Sequence, residues 1–371
     1  REIINASDDS VLQLVGEKPL LMRASRGLTP QTLRINSSCT ETILAVGAQQ
    51  KNAIAVYKDG QIIQSPYIGD MDNLATFEFF ERTIESFKSF YNLSFDRIIA
   101  DKHPNYITTK WAKSQNLPVY EVQHHYAHIA ATMFEHGLDE EVLGIAWDGT
   151  GYGDDKTIWG GEFFLCNTKE YRRVASFEPF KLLGGDASVK QIKRIAFSLL
   201  QDSPKEMWSE KVYTFIETFS KSEQSLLTQM HEKNLNSPRC SSVGRLFDAV
   251  AAIATGLESV SYDGESGLII EGLYDSSNVE AYSFELNENG KIQHNNAILS
   301  MFQDSKEEIA TKFLNGLCNC IIDIAKKYKR PVVVSGGVFQ NKTLLNSLVI
   351  GCERENIPLY FPSKTVPNDG S

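Results

Sequence analysis

The sequence predicts an α/β fold made of two similar halves. Strand-like apolar runs alternate with helical segments along most of the chain, which is typical of a sheet covered by helices. This series begins twice with a strand, a glycine-containing turn and another strand, once near Ile43 and again near Val142. The chain has 371 residues, 42% of them hydrophobic and 23% charged, which is enough for two or three domains with packed cores. We interpret the repeated order as an ancient duplication.

The first half is predicted to begin with three strands, of which the last two are joined by a tight turn at Asp59-Gly60. An aromatic-rich helix follows over residues 73–91, and then comes the short strand RIIAD, which ends at Asp101. A helix near 110–115 and the strand LPVYEVQ lead into a further helix, which carries two histidines.

The second half is predicted to begin with a hairpin formed by EVLGIAWDG and the strands around 159–166. From about 180 to 240 the sequence is charged and mostly helical, which predicts an insertion. The helix SSVGRLFDAVAAIATGL has a serine cap, and a long helix is expected over 307–328. PVVVSGGVFQNKTLLNSLV is predicted to form strand, glycine turn and helix, and IPLYFPS a final strand.

Residues 1–36 contain too few apolar residues to bury a core alone. We expect them to be the tail of a preceding domain, or a linker that docks on residues 37–371. The chain begins with Arg1 instead of methionine and ends without a closing helix, so we expect a fragment of a longer protein.

Composition excludes several classes of protein. The net charge of −10 argues against nonspecific binding to nucleic acid. No apolar run approaches the roughly 18 residues of a membrane span. The six cysteines are scattered through a long chain, which favours a reducing compartment, so we expect a cytoplasmic location.

The clearest candidate for a metal site lies within residues 121–153. His124 and His128 are four residues apart on a predicted helix, so their side chains lie on one face, about 5–6 Å apart at the Cβ atoms. That separation suits two ligands of one ion. Asp148 follows an apolar strand and could complete the site. The two histidines alone also fit an ordinary polar helix face. His136, His231 and His294 are expected at the surface.

Glycine turns after strands are the second signal. Backbone amides at Gly149, Thr150 and Gly151 could receive a phosphate. Gly336-Gly337 joins a buried strand to a helix, so amides point at whatever lies there. A third turn carries Asp186, which could either contact a ligand or stabilise its own turn. The sequence contains neither GxxxxGK[ST] nor GxGxxG, which excludes a P-loop and the dinucleotide-binding fingerprint.

The order of the turns resembles the actin/Hsp70/sugar-kinase (ASKHA) superfamily. A first phosphate hairpin would lie at 43–57, a second at 143–163, and an adenosine-side turn at 335–341. This resemblance implies two actin-like halves that grip the phosphates of a nucleotide from opposite sides.

A closer resemblance rests on seven motifs that occur in a fixed order: VQHHYAH, WDGTGYGDD…IWGGEF, LLGGDAS, SSVGRLFDAVA, YDGESG, VVVSGGVFQN and PNDG. The chain resembles the HypF family, the carbamoyltransferases of NiFe-hydrogenase maturation, over nearly its whole length. Residues 1–36 resemble the end of the YrdC-like domain of that family.

The resemblance implies a reaction. In the family, carbamoyl phosphate is cleaved and its carbamate is adenylated with ATP. The carbamoyl group then passes to the C-terminal cysteine of HypE, as a source of the cyanide ligands of the hydrogenase iron. For this chain we expect only the transfer half-reaction, because the modules that make the adenylate are missing. A metal and backbone amides would stabilise the mixed anhydride electrostatically.

The resemblance also implies site residues. The metal ligands would be His124, His128, Asp148 and Asp369, a set that suits iron or zinc. Lys51 and Asp148 would be catalytic. ATP or carbamoyl-adenylate, with Mg²⁺ as a further candidate ion, would contact Gly149, Thr150, Gly151, Gly244, Asp248, Gly336, Gly337 and Asn341.

Two other functions stay open at the level of sequence. A tRNA threonylcarbamoyl transferase shares the paired histidines, although the acidic balance and the YrdC-like tail oppose it. A non-catalytic ATP-binding regulatory module would bind nucleotide without a metal and without carbamoyl transfer.

Overall fold

The structure is a computed structural model that describes residues 7–370. Residues 1–6, which belong to the expected tail of a preceding domain, and Ser371 lie outside the described residues. Among residues 7–370, no helix combines the length and the apolar character that crossing a bilayer requires.

The first part of the chain forms a hairpin and then a six-stranded sheet with its helices. Its elements are β1 (Val11–Val15), β2 (Lys18–Arg23), β3 (Gln31–Arg34), β4 (Ile43–Ala45), β5 (Ala55–Lys58), β6 (Gln61–Gln64), α1 (Leu74–Tyr91), β7 (Arg97–Asp101), α2 (Ile107–Ser114), β8 (Val119–Val122) and α3 (His124–His136). The strands lie in the order β3-β6-β5-β4-β7-β8. β4, β5 and β6 are antiparallel neighbours, whereas β7 and β8 run parallel to β4.

The second part forms the larger sheet and most of the helices. Its elements are β9 (Val142–Tyr152), β10 (Ile158–Cys166), β11 (Tyr171–Phe177), β12 (Phe180–Lys181), α4 (Asp186–Lys190), α5 (Lys193–Gln201), a 3₁₀ turn (Lys205–Met207), α6 (Glu210–Glu217), α7 (Lys221–Lys233), β13 (Arg239–Cys240), α8 (Val243–Thr255), α9 (Glu265–Gly272), β14 (Lys291–Ile292), α10 (Asn295–Met301), α11 (Lys306–Tyr328), β15 (Val332–Ser335), a second 3₁₀ turn (Gly337–Gln340), α12 (Lys342–Arg354) and β16 (Leu359–Tyr360).

The two sheets repeat one strand order. In the first sheet, three antiparallel strands and two parallel ones give the order β6-β5-β4-β7-β8. In the second, the corresponding order is β11-β10-β9-β15-β16, with β11 antiparallel to β10, β10 antiparallel to β9, and β15 and β16 parallel to β9. This confirms the predicted α/β fold of two similar halves. α4 to α7 lie between β12 and β13, within the segment for which a helical insertion is predicted.

Each half has its own apolar core. Helices α1 and α2 cover the first sheet, where Phe80, Ile84 and Ala112 are buried. In the second half Trp147 is fully buried, packed edge-on against Phe163 and stacked on Phe339. α3 follows the last strand of the first half but packs on the second sheet. Its apolar face there joins a cluster with strand residues of β9, β10 and β15.

Residues 7–36 contact both halves. The β1–β2 hairpin lies against the second half, where Leu20 is fully buried in the main core and Gln13 Nε2 donates to Gln340 O at 2.7 Å. β3 pairs with β6 and forms the edge of the first sheet. A boundary after residue 36 therefore follows a strand that belongs to the sheet of the first half.

Candidate metal centre and adjoining cavity

The structure brings the four predicted metal ligands together at the start of α3. The helix begins at His124, where the Gln123 side chain accepts a hydrogen bond from Tyr126 N at 2.8 Å and caps the helix. His128 lies one turn further along the same buried face. β9 positions Asp148 directly after its fully buried apolar stretch. Asp369 arrives from the irregular segment that follows β16.

The ligand atoms of these four residues all lie within 4.8 Å of one another. The Nε2 atoms of His124 and His128 are 3.4 and 3.3 Å from Asp148 Oδ2. Both Nε2 atoms are 3.3 Å from Asp369 Oδ1. Two imidazoles and two carboxylates thus converge on one point, which is the donor set of a tetrahedral divalent metal ion.

The chemistry of the cluster fits a metal ion better than it fits hydrogen bonds alone. His128 Nε2 is buried, yet it makes no hydrogen bond of acceptable geometry despite the two carboxylate oxygens at 3.3 Å. Buried polar atoms are rarely left in this state unless an ion or water is their partner. Iron and zinc both accept two histidines and two carboxylates.

The carboxylates and imidazoles perturb each other strongly. Burial alone would lower the pKa of His124, but Asp369, Asp101 and Asp148 raise it well above the ordinary value. Burial would raise the pKa of Asp148, but its contacts with His124 and His128 hold it well below the usual range. The pKa of Asp369 is lowered for the same reason. Both carboxyl groups are therefore ionised and ready to bind a cation.

Asp101 is a further candidate site residue, which was not predicted from the sequence. Its Oδ2 accepts a hydrogen bond from His124 Nδ1 at 2.8 Å, and its Oδ1 accepts one from His103 N at 2.7 Å. Because a carboxylate only accepts, Nδ1 of His124 carries a proton, which leaves Nε2 as the nitrogen that a metal ion would bind in place of a proton. This carboxylate–histidine pairing is typical of metal ligands. The available signal was the position of Asp101 at the end of β7.

Two glycine amides hold Asp148. Gly149 N and Gly337 N donate to Asp148 Oδ1 at 2.8 and 3.2 Å, which leaves Oδ2 directed at the histidines. The Gly149 amide was expected to receive a phosphate, and Gly337 was expected to contact the nucleotide. They instead orient a candidate ligand, although both residues also line the adjoining cavity.

Thr150, Gly151 and Gly336, for which nucleotide contacts are predicted, are not part of the cavity wall. Lack of space for a side chain explains why residues 151 and 336 are glycine. A Cβ on Gly151 would lie 2.4 Å from the ring of His125. Gly336 has a φ of +104°, and a Cβ there would lie 2.2 Å from the carbonyl oxygen of Trp147. These glycines let the histidine helix and the turn after β15 approach β9 closely.

A cavity of about 220 Å³ adjoins the cluster, and Asp148 belongs to both. It is lined by Met22, Lys51, Asp148, Gly149, Gly244, Arg245, Phe247, Asp248, Asp263, Gly264, Ser266, Gly267, Leu268, Glu271, Gly337, Val338, Gln340 and Asn341. The first turn of α8 forms one side, where the Ser242 side chain caps the helix by accepting from Arg245 N and donates to Asp148 O. A Cβ on Gly244 would lie 2.9 Å from Gly149 Cα, so glycine allows α8 to meet β9.

Lys51 is the cavity-lining cation that comes from the first half. It lies in the turn between β4 and β5 in the left-handed region, with a φ of 48°, and its Nζ pairs with Asp263 across the cavity. Burial disfavours the ammonium, but the carboxylates of Asp263, Asp148 and Asp369 raise the pKa of Lys51. Lys51 is therefore protonated beside the candidate metal centre.

Asp248 and Asn341 line the cavity but already have protein partners. Asp248 is 2.9 Å from Arg245 Nη1 and accepts from Ser266 Oγ at 2.6 Å. Burial raises the pKa of Asp248, although Arg245 and Ser266 act in the opposite direction. Asn341 caps α12 through Leu344 N and donates to Gly267 O. Arg245, a buried guanidinium at the cavity wall, was not predicted from the sequence as a site residue.

Two other histidines have clear positions. His125 is fully buried, and its Nδ1 is 3.2 Å from Gln123 Nε2 rather than in the cluster. His294 was expected at the surface, and this prediction is wrong. The structure buries it to 2% exposure, with Nε2 donating to Glu178 O at 3.0 Å, because α10 packs against the second-half core.

The fold and the site define a protein of the ASKHA class, with a candidate metal centre beside a cavity. Residues 144–371 match the family model for the carbamoyltransferase Kae1-like domain, second subdomain, and residues 38–135 match the HypF Kae1-like domain. The chain belongs to the HypF carbamoyltransferase family, which confirms the resemblance found in its motifs.

Relatives support this membership over the whole chain. Carbamoyltransferase HypF of Synechocystis sp. is 37% identical over 100% of this chain and 51% of the relative. The probable carbamoyltransferase HypF of Methanocaldococcus jannaschii is 28% identical over 100% of this chain and 50% of the relative. The chain therefore spans about half the length of these curated relatives.

Solved structures agree. A crystal structure of full-length HypF in a phosphate- and nucleotide-bound form matches with a TM-score of 0.93 and 33% identity, over 100% of this chain and 60% of that one. The crystal structure of T. kodakarensis HypF matches with a TM-score of 0.87 and 29% identity, over 98% of this chain and 50% of that one.

Proposed function

We propose that this chain transfers a carbamoyl group from carbamoyl-adenylate to the C-terminal cysteine of HypE, in the synthesis of the cyanide ligands of NiFe-hydrogenase. The observation that carries the proposal is the double position of Asp148, which faces two histidines through Oδ2 and also lines the cavity. A ligand in the cavity would therefore lie beside the candidate metal. Residues 37–371 would form the transfer domain, residues 1–36 the end of a YrdC-like domain, and the protein would act in the cytoplasm.

The cavity has the chemistry to hold an adenylate. Lys51 and Arg245 supply positive charge beside their carboxylate partners Asp263 and Asp248, and the N-terminal turn of α8 favours an anion. Phe247, Leu268 and Val338 supply apolar surface for a base. The nucleotide in the similar full-length HypF structure supports a nucleotide here.

Iron or zinc at the four-residue cluster would supply a Lewis acid for the oxygen atoms of the mixed anhydride. In this chain, Asp101 fixes the tautomer of His124, and the amides of Gly149 and Gly337 fix the carboxylate of Asp148. Lys51 holds a positive charge where the phosphate or the carbamoyl oxygen would lie.

The attacking thiolate would come from the partner. Burial raises the pKa of the thiols of Cys166, Cys240 and Cys318 to about 12, and the pKa of Cys352 to about 11. Burial raises the pKa of the Cys320 thiol as well. None of the six cysteines lines the cavity. In the transfer, the sulfur of the acceptor bonds to the carbamoyl carbon, the carbon–oxygen bond to the phosphate breaks, and AMP leaves. The thiol proton goes to solvent.

A mass-spectrometric assay tests this proposal. The purified chain is incubated with carbamoyl-adenylate and a HypE-type peptide that ends in cysteine, and the peptide mass and AMP are followed. We expect a carbamoylated peptide only when the chain is present, and none with a matched peptide that ends in serine. In a parallel reaction with tRNA in place of the peptide, transfer to tRNA would favour the related tRNA enzyme. Nucleotide binding with no transfer to either acceptor would favour a regulatory module, and both results contradict the proposal.

A further inference from the structure

Glu135 makes an unusually complete set of hydrogen bonds at the far end of the histidine helix. Its side chain is 1% exposed. Oε1 accepts from Ser363 N at 2.8 Å, Ser363 Oγ at 2.6 Å and Lys364 N at 2.9 Å. Oε2 accepts from Thr365 N at 2.9 Å and Thr365 Oγ1 at 2.8 Å. One carboxylate thus collects five donors from three consecutive residues, and it remains ionised because these donors lower its pKa despite burial.

The segment that Glu135 holds is the one that delivers Asp369. Residues 361–370 form neither helix nor strand, so no ladder of backbone hydrogen bonds fixes them. Their path depends on separate contacts, among them Gly336 N donating to Pro367 O at 2.8 Å and Gln64 Nε2 donating to Gly370 O at 2.7 Å. Glu135 accepts more hydrogen bonds from this segment than these other partners do. The last of its donors is Thr365, four residues before Asp369.

Glu135 also lies on the helix that carries the other ligands. It follows His128 by seven residues, which is two helical turns or about 10 Å along α3. The helix is rigid, so a loop fixed to its C-terminal end is fixed relative to the histidines at its start. The same helix that supplies two ligands therefore sets the position of a third.

We infer that Glu135 is a positioning residue for the candidate metal centre. It holds the 363–365 turn so that the carboxylate of Asp369 stays 3.3 Å from the Nε2 atoms of His124 and His128. This inference rests on the proposed function, because it assumes that the four side chains bind a metal ion.

The substitution Glu135→Gln tests the role with little change in shape. A glutamine amide has one oxygen and one NH₂ group. In either orientation, the NH₂ group faces a backbone N–H of the 363–365 turn, which leaves buried donors unpaired. The turn must move, and Asp369 loses its position, while His124, His128 and Asp148 keep theirs.

Cobalt is a suitable probe because its absorption spectrum reports ligand geometry independently of activity. The full 371-residue chain would be titrated with Co²⁺ as wild type, E135Q, D369N, the double variant E135Q/D369N, and E141Q as a control. Glu141 pairs with Arg330 at the surface, so E141Q removes the same charge nearby without touching the loop. Circular dichroism and the melting temperature verify folding of each variant.

We expect E135Q to bind Co²⁺ about 10–100-fold more weakly than wild type, which is the usual effect of losing a partner that orients a metal ligand. Its cobalt spectrum should match that of D369N. The double variant should bind no more weakly than D369N, because both changes remove the same ligand. E141Q should behave as wild type. If E135Q does not fold, the milder variants S363A and T365V, each of which removes one of the five donors, should weaken binding in the same direction.

A wild-type spectrum and affinity for E135Q or for the milder variants would overturn the role of Glu135 while leaving the metal centre intact. Additive losses in the double variant would also overturn it. Failure of the wild-type chain to bind Co²⁺ at these four side chains would instead overturn the metal centre, and the role of Glu135 with it.

Discussion

Strand β4 of the first half is three residues long, whereas its counterpart in the second half, β9, runs for 11 residues. The long strand carries Asp148 out of the core to the point where the histidines and the cavity meet. The short strand ends before its turn, and that turn brings Lys51 to the cavity. The two halves thus share one strand order but differ in the length of the corresponding strand and in the site residue that it positions.

The two halves also contribute different parts of the site. The second half supplies most of the cavity wall, through α8, α9 and the turn after β15. The first half supplies parts that reach across to it, namely Lys51, Asp101 and the histidine helix α3. α3 belongs to the first half in sequence, but it packs on the second sheet. Shared topology therefore does not imply shared roles, and variants in the two halves should have different effects.

Among the variants, Asp148→Asn in the second half is expected to reduce metal affinity most. The asparagine oxygen can still accept from Gly149 and Gly337, so the fold should persist, but an NH₂ group replaces the oxygen that faces His124 and His128. We expect metal affinity to fall by at least about 100-fold, beyond the range for partners that do not touch the ion. Nucleotide affinity should change as well, because Asp148 lines the cavity.

Equilibrium dialysis with Zn²⁺ and Fe²⁺, and calorimetric titration of nucleotide, measure both quantities for D148N. Asp186→Asn is the matched control, since Asp186 follows another glycine turn of the second half but is exposed and outside the cavity wall. Metal binding by D148N at wild-type strength would exclude Asp148 as a ligand.

A smaller and more selective effect is expected from Asp101→Asn in the first half. Asp101 touches His124 but does not line the cavity. Its loss should weaken metal binding by about 10–100-fold through the freed imidazole and leave nucleotide affinity unchanged. The same two measurements apply. Asp96→Asn, which removes a charge beside the other end of β7, where Asp96 accepts from Thr42 N, should change neither. A parallel loss of nucleotide affinity in D101N would contradict the division of roles.

Much of this arrangement follows from local patterns in the sequence. Alternation of apolar runs predicts the strands, and Ser242 and Asn341 cap α8 and α12 where a polar residue precedes a helical pattern. The four-residue spacing of His124 and His128 predicts a shared helix face. These features depend on residues within one or two helical turns, so they are visible without a structure.

The remaining features depend on contacts between distant parts of the chain. Asp101 reaches His124 across 23 residues, and Gly337 N reaches Asp148 across 189. No local pattern states which acceptor a glycine amide will find, so Gly149 was predicted to contact a phosphate and Gly337 another part of the nucleotide. The environment of His294 was mispredicted for the same reason, since its burial depends on the packing of α10 against β12 and α5.

The smallest effect is expected from Lys51→Ala, which tests the contribution of the first half to the cavity alone. Lys51 lies beside Asp263 at the cavity but is not a metal ligand. Loss of a charged hydrogen-bond donor to a phosphate costs about 1.5 kcal/mol, so nucleotide affinity should fall by about tenfold. Metal affinity should not fall, because the charge of Lys51 opposes a cation beside Asp148 and Asp369. Titration of nucleotide and of Zn²⁺ measures both affinities, with Lys58→Ala on β5, outside the cavity wall, as the control.

The salt dependence of the K51A effect shows whether Lys51 acts through its charge. Because Lys51 is one-third exposed, added salt should reduce the difference in nucleotide affinity between wild type and K51A. A difference that does not depend on salt would mean that Lys51 acts by packing, and the first half would then contribute shape instead of charge to the cavity.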